Sequence, residues 1–373
     1  MRVLVVLTQP PLPEGGANSR CAVALLRGLV AHGVQVQALA ARQWFSSSEP
    51  PPADLPVEVV DVPPEPRGWR TRFLRVTQPR GDLARGEFGR RVREAAEDAQ
   101  VVHLEETETA WCDSGVAKPS LVHLHYRVLR DRDLRRPWTR EFRDTVELAL
   151  AERTAIRRHR HLVASSPVLA AELRRVRPDA DVIRAPLSLD PRYYPQAPLD
   201  EPVAGLIGHG AWRPTRDAMV RLVERVWPLV RRSRPDARLL VAGRGLDFFR
   251  GQDLGAGVEL VGEVESGAEF LHSVGVLLFP LTRGSGMKVK TLEAIANGVP
   301  VVTTPAGAEG IDAGEGIMVA DEDEALAADA VRILGDAAER RERGDAARTA
   351  FLRNYSPEPA TRPLVELYRR MAT

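Results

Sequence analysis

The stretch VGVLLFPLTRGSGMKVKTLEAIANGVPVVTTPAGAEG, residues 274–310, carries the reading of the fold. A buried apolar run ends at Phe279–Pro280, a glycine-rich loop follows at Arg283–Gly286, and a helix is predicted to begin near Lys288. VPVVTT (299–304) then reads as another strand. Strand, glycine loop, helix and strand in that order form the unit of a parallel sheet wrapped by helices. Glycines let the backbone approach a ligand closely, and the N–H groups at a helix start favour anions. Lys288 and Lys290 place two cations at this helix start, where the dipole disfavours each by about 0.3–1 kcal/mol unless an anion lies between them. That local conflict points to a phosphate. Glu293, three residues beyond Lys290, falls on nearly the same helix face, where a carboxylate can accept paired hydrogen bonds from vicinal hydroxyls such as a ribose's. A solvated charged face is the alternative reading. The loop PAGAEG, with Gly307, Glu309 and Gly310, forms a second helix start suited to an anion.

Working outward, the same alternation covers most of the chain. Val3–Leu7 reads as a first strand, QPPLPEGGANS as a loop, Ser19–His32 as a helix ended by Gly33, and VQVQALAA as the second strand. This is one Rossmann-type half. Further strands are predicted at 56–62, 101–104, 121–125, 161–165 and 181–185, with a long helix over Arg140–Arg160. The proline-bearing segment 186–202 reads as a linker. The pattern then restarts with strands at 203–209, 237–243, 258–262, 274–280 and 299–304, and helices at Thr215–Arg231 and Lys290–Asn297. A last helix is expected over Pro357–Met371. The expected organisation is therefore an N-terminal α/β domain over 1–190, a second over 200–355, and a tail, 356–373, packing back on the first.

Composition bounds the remaining choices. The 373 residues suit two domains of ordinary size. Basic and acidic side chains, 52 and 51, nearly cancel, so whole-chain charge gives no argument for nucleic acid. Cys21 and Cys112 lack metal-type spacing, and Cys21 reads as a buried thiol in an apolar helix, which suits a reducing compartment. No apolar run reaches the about 18 residues of a membrane span, and the N-terminus is broken by prolines too early for a signal peptide. A cytoplasmic protein is expected.

The form P-L-x-x-G-x-G-x-x-x-K-x-L-E-A-x-A-x-G-x-P-V-V-x-T-x-x-G-x-E-G, matched from Pro280 to Gly310, resembles the C-terminal domain of the GT-B family of retaining glycosyltransferases, group 1 or family-4-like. GHGAWRPTRDAMVRLVERVWPLVRRSRPDARLLVAG and, near the N-terminus, EGGANSRCAVALLRGLVAHGVQV are similar to further family segments, as are HLVASSPVLAAEL and PLSLDPRYYP. The resemblance implies an α/β, GT-B fold: two Rossmann-like domains with a cleft between them and a C-terminal helix crossing back. It implies a UDP- or GDP-linked sugar as co-substrate and no other cofactor. Lys290, with Lys288 and Arg213 or Arg244, would neutralise the donor diphosphate. Glu293 would bind ribose, and the backbone of Gly284, Ser285, Gly286 and Met287 would meet sugar and phosphate. The loop with Gly307 and Glu309 would complete the donor site, and Gly15 and Gly16 would close over the diphosphate from the other domain. Many members carry E-x7-E, and Ser285 stands at the first of those positions.

Transfer in this family is front-face: the departing diphosphate helps to remove the acceptor's proton, and no metal is required. No Asp-x-Asp cluster is placed to hold one. The acceptor side falls to the N-terminal domain, where Glu105, Glu106 and Glu108 follow one strand and His123, His125 and Arg127 the next. His125 is the first candidate and Glu106 the second; His123 shares His125's side of the strand, and a structural histidine is the plainer alternative. The acceptor class (saccharide, lipid-linked, protein or small molecule) is open. The arginine-rich segments 67–93 and 127–143 read as a solvated face, or as a contact for an anionic acceptor or a membrane surface. Two rivals share the fold, a nucleotide-sugar epimerase and a non-catalytic nucleotide-sugar-binding homologue.

Overall fold

The computed structural model describes residues 1–372 except 45, 67, 133, 135, 136 and 138. The chain forms two compact units, Met1–Asp190 with Ser356–Thr373, and Pro191–Tyr355.

The first unit contains β1 (Arg2–Leu7), α1 (Ala17–Ala31), β2 (Gln35–Gln43), β3 (Val57–Val62), α2 (Trp69–Thr77), α3 (Glu87–Asp98), β4 (Val101–Glu105), β5 (Ser120–Leu124), α4 (Val128–Asp131), α5 (Arg140–Arg158), β6 (His161–Ala164), α6 (Pro167–Val176) and β7 (Asp181–Arg184). The second contains β8 (Val203–Ile207), α7 (Arg213–Arg221), α8 (Trp227–Ser233), β9 (Arg238–Ala242), β10 (Val258–Gly262), α9 (Gly267–His272), β11 (Val276–Phe279), α10 (Val289–Ala296), β12 (Val301–Thr303), β13 (Ile317–Val319), α11 (Asp323–Gly335) and α12 (Ala337–Asn354). The last helix, α13 (Pro357–Met371), belongs to the first unit.

Among the described residues the sheets run β3-β2-β1-β4-β5-β6-β7 and β10-β9-β8-β11-β12-β13, every pair parallel. Both orders reverse beside the first strand of the unit, as in a doubly wound Rossmann sheet. Central strands of such sheets are covered on both faces, so they are continuously apolar: Val3–Leu7 and Val276–Phe279 are buried throughout. In the β4–β5 ladder, Glu105 lies opposite His123 and His103 opposite Leu121. That register puts polar residues of two neighbouring strands on one sheet face.

Most predicted elements are present, with differences that have local causes. The helix expected over 215–231 is three pieces: α7, a π-helical turn over Leu222–Val226, and α8. Pro228 lacks an N–H and its ring crowds the carbonyl a turn earlier, and a wider turn relieves both. α2, α3, α11, α12 and β13 lie in stretches for which the sequence pattern specified no element. Gly33 ends α1 with φ +73°, a conformation that favours glycine, and its N–H reaches the carbonyl of Val30 at 2.9 Å.

The first unit is closed by α13 lying on α1. Gly28 makes this possible, because a Cβ there would stand 2.3 Å from the carbonyl oxygen of Pro357 and 2.5 Å from Thr361 Oγ1. Replacing Gly28 by alanine is expected to cost about 1–3 kcal/mol, the range for overpacking a filled interface. Chemical unfolding of the purified variant checks this, and an unchanged midpoint would contradict the observed packing.

Candidate functional site

In the second unit the candidate site gathers where β8 and β11 diverge. Lys288 is the N-cap of α10, with no side chain capping the helix, so the first N–H groups face outward from the helix start. Lys288 Nζ donates to the carbonyl of Gly286 at 2.5 Å. Lys290 reaches across to the end of β8: a Cβ on Gly208 would lie 2.4 Å from Lys290 Cε, so only glycine leaves the ammonium its place. Glu293 follows on the same helix, three residues along.

The loop before α10 is held open by backbone geometry and by one buried carboxylate. Gly284 and Gly286 have φ of +141° and +68°. Glu309 Oε1 accepts from the Gly286 N–H at 2.8 Å, and Glu309 is itself buried. Thr291 Oγ1 donates to the carbonyl of Gly307 at 2.9 Å, which ties α10 to the loop after β12. A Cβ on Gly307 would collide with Thr303 Oγ1 at 1.9 Å. Glu309 and Gly307 thus shape the site through the loop they fasten. Ser285 and Met287 are buried within that loop.

The arginines divide. Arg213 opens α7, 3.9 Å from Asp217, and Arg283 meets the same carboxylate at 3.4 Å, so Asp217 links two guanidinium groups near the loop. The Arg244 carbonyl accepts from the Gly210 N–H at 2.8 Å, just after β8, but its guanidinium turns to Glu263 at 2.6 Å on an exposed face. The structure therefore brings Lys288, Lys290, Glu293, Arg213 and residues 284–287 together, and leaves the Arg244 side chain apart. Asp217 was not singled out by the sequence, and Arg283 was named only as the first residue of the glycine loop, with no role of its own.

In the first unit the corresponding point lies between β1 and β4. Gly15 packs so tightly under α1 that a Cβ would meet Ser19 Cβ at 2.6 Å, whereas Gly16, the N-cap of α1, has open space around it. Glu106 follows β4 with φ +67°, a strained conformation for a side chain. Its carboxylate accepts from Thr8 Oγ1 at 2.6 Å and Asn18 Nδ2 at 2.5 Å. Burial raises Glu106 to about 7, with the neighbouring carboxylates Glu108 and Glu105 adding to the rise and His125 opposing it.

Beside it, His103, His123 and His125 converge on Glu105. Glu105 Oε1 is 2.7 Å from His103 Nε2 and 2.9 Å from His123 Nδ1, and Oε2 is 2.7 Å from His125 Nε2. Burial opposes ionisation of Glu105, but His123 and His125 outweigh it and hold the carboxyl well below its usual range. Burial lowers His123, whereas at His125 burial is overcome by Glu105, Glu106 and Glu108, which raise it. Tyr368 of α13 hydrogen-bonds His103 Nδ1. His125 is thus one member of a buried cluster. His103 was legible through the alternation that pairs it with Glu105; Thr8, Asn18 and Tyr368 were not, because they arrive from distant segments.

Of the arginine-rich segments, Arg67, Arg135, Arg136 and Trp138 lie outside the described residues. Arg75, Arg80 and Arg140 line a cavity of about 580 Å³ with Trp44, Glu65 and Glu147, next to the ends of β2 and β3. Its charges are mixed: Arg75 lies 3.4 Å from Glu65 and 4.0 Å from Glu147. Among the described residues no helix is long and apolar enough to cross a membrane.

Residues 201–336 match the family model described as glycosyl transferases group 1. No curated protein sequence is similar enough to count as a match. Among solved structures, sucrose-phosphate synthase from Thermosynechococcus elongatus is similar over 100% of this chain and 99% of its own, with a TM-score of 0.74 and 18% identity. TarM of S. aureus follows over 98% and 99%, at 0.71 and 9% identity. Anabaena HepE, solved with UDP-glucose, matches over 99% of each chain, at 0.64 and 16% identity. Residues 201–336 are thus similar to glycosyl transferases group 1, as the stretch 280–310 led one to expect, and the chain has the GT-B fold.

The buried, neutral-leaning Glu106 has a pH signature. Its carboxyl is raised in the folded chain, so between the ordinary carboxyl range and about pH 7 the unfolded chain gives up a proton that the folded chain keeps. Stability from this group is present at low pH and is lost as pH rises through about 7. Glu106→Gln is expected to remove that decline, so that the variant gains on the parent chain as pH rises. Unfolding curves at a series of pH values check this; parallel curves would contradict it.

Proposed function

We propose that the chain moves a sugar from a nucleoside-diphosphate sugar, UDP- or GDP-linked, to a hydroxyl-bearing acceptor, with retention of anomeric configuration and no metal at the diphosphate. The observation that carries this reading is the start of α10, where Lys290 lies over Gly208 and uncapped N–H groups follow the glycine loop. Breaking the sugar–phosphate bond leaves negative charge on the diphosphate. Fixed cations and oriented N–H dipoles aimed at that charge lower the barrier without reorganising. Lys290 and Lys288 supply the cations, α10 the dipoles, and Glu293 a bidentate acceptor for the ribose hydroxyls.

The sugar end of the donor meets the loop Gly284–Met287, whose shape Glu309 fixes through the Gly286 N–H. Ser285 replaces a carboxylate here, so backbone groups and a hydroxyl take over recognition of the sugar. On the acceptor side, His125 and Glu106 supply a titratable pair 3.9 Å apart at the strand ends of the first unit. The cavity lined by Arg75, Arg80 and Arg140 is the proposed acceptor chamber, and its mixed charge suits a polyhydroxyl compound better than a membrane surface. The binding of UDP-glucose by HepE supports a uridine nucleotide as the first donor to try. An epimerase would need acid–base carboxylates beside the donor sugar; Glu309, the carboxylate tied to the loop, is engaged with Gly286.

Lys290→Ala is expected to weaken nucleoside diphosphate binding at least tenfold, about 1.4 kcal/mol, while leaving the affinity for the nucleoside unchanged. Calorimetric titration with UDP and GDP, each against its nucleoside, measures both. Equal loss for diphosphate and nucleoside would contradict the assigned role of Lys290.

A further inference from the structure

We propose that His103, Glu105 and His123 form a binding site for a divalent transition metal of the zinc class, inside the first unit and separate from the donor site. The three residues each offer a ligand atom, and those atoms all lie within 4.8 Å of one another. They arise from H-x-E on β4 and H-x-H across the end of β5, with Glu105 directly opposite His123 in the ladder. A two-residue period on adjacent parallel strands puts all of them on one sheet face, so the cluster is a product of register.

Several features distinguish this cluster from an ordinary buried hydrogen-bond network. His103 Nε2 and His125 Nε2 each stand 2.7 Å from a Glu105 oxygen, so one carboxylate faces two buried imidazole nitrogens that have no other partner. His123 Nε2 is also buried and unpartnered. Buried polar nitrogens normally find a partner, and leaving one without costs about 1–3 kcal/mol. The donor chemistry fits: neutral imidazoles with one carboxylate are a zinc-type set, whereas calcium and magnesium take oxygen ligands. With metal–ligand bonds of about 2.0–2.2 Å, tetrahedral ligand atoms sit about 3.3–3.5 Å apart. Opening the Glu105 contacts by about half an ångström reaches that spacing.

Two surrounding features complete the site. Tyr368 is hydrogen-bonded to His103 Nδ1, the arrangement that fixes a ligating histidine's tautomer and aims its other nitrogen at the ion. Glu105, His123 and His125 also wall a cavity of about 20 Å³ that Cys21 lines. That volume accommodates one water-sized ligand in a further coordination position. A metal here would cross-link β4 and β5 and, through Tyr368, hold α13 in place.

The test uses the full chain, freed of metal by dialysis against a chelator and checked for folding by circular dichroism. Addition of Co²⁺ is expected to give visible ligand-field bands that saturate at one equivalent and disappear when Zn²⁺ is added. His103→Gln and His123→Gln should each abolish the bands. Tyr368→Phe, which keeps the ring and removes the hydroxyl, should weaken zinc binding by about 10–100-fold in competition with a chromophoric chelator. Absence of bands in the folded parent chain would overturn the proposal. So would bands that persist in both histidine variants, or zinc affinity unchanged by Tyr368→Phe.

Discussion

A parallel sheet must end all its strands on one edge, and the rest of this molecule follows from that constraint. Where strand order reverses, beside β1 in the first unit and β8 in the second, the crossovers leave in opposite directions and a crevice opens at the strand ends. The chemically distinctive residues of both units collect there. Thr8 and Glu106 leave β1 and β4 side by side; Gly208 leaves β8 beneath the lysine of the helix that follows β11. The same topology in the two units carries different chemistry, cationic in one and a histidine–carboxylate cluster in the other.

Each crevice is fastened by a buried carboxylate. In the second unit Glu309 holds the glycine loop by a backbone N–H, and the loop's two positive-φ glycines allow it to curl around that carboxylate. In the first, Glu105 sits among three imidazoles, one of them linked onward to Tyr368 of α13. The C-terminal helix therefore does more than cover α1. Its fit against Gly28 and its hydroxyl on His103 connect the end of the chain to the polar centre of the first sheet.

The sequence made the fold legible where periodicity was uninterrupted. Apolar runs such as Val3–Leu7 and Val276–Phe279 fall on central strands, and the helix start at Lys288 is one residue from its observed place. Legibility failed where a single residue altered local geometry, as Pro228 does in turning a helix into a π turn. It failed also for α2 and α3, although in α3 Phe88, Val92 and Ala96 recur at helical spacing on one buried face. In the candidate site, Lys290 and Glu293 were readable because one helix carries both. The Glu105 cluster was half readable: alternation pairs His123 with His125 and, by the same rule, His103 with Glu105. Register across two strands and the arrival of Tyr368 from the far end of the chain are properties of the folded state alone.

The most direct measurement is a crystal structure of the full chain soaked with UDP and, separately, GDP. The expected result is a diphosphate at the start of α10, within hydrogen-bonding reach of Lys290 and the backbone of residues 284–287, with the ribose on Glu293. A nucleotide bound elsewhere, or a diphosphate that leaves Lys290 and the α10 N–H groups untouched, would contradict it.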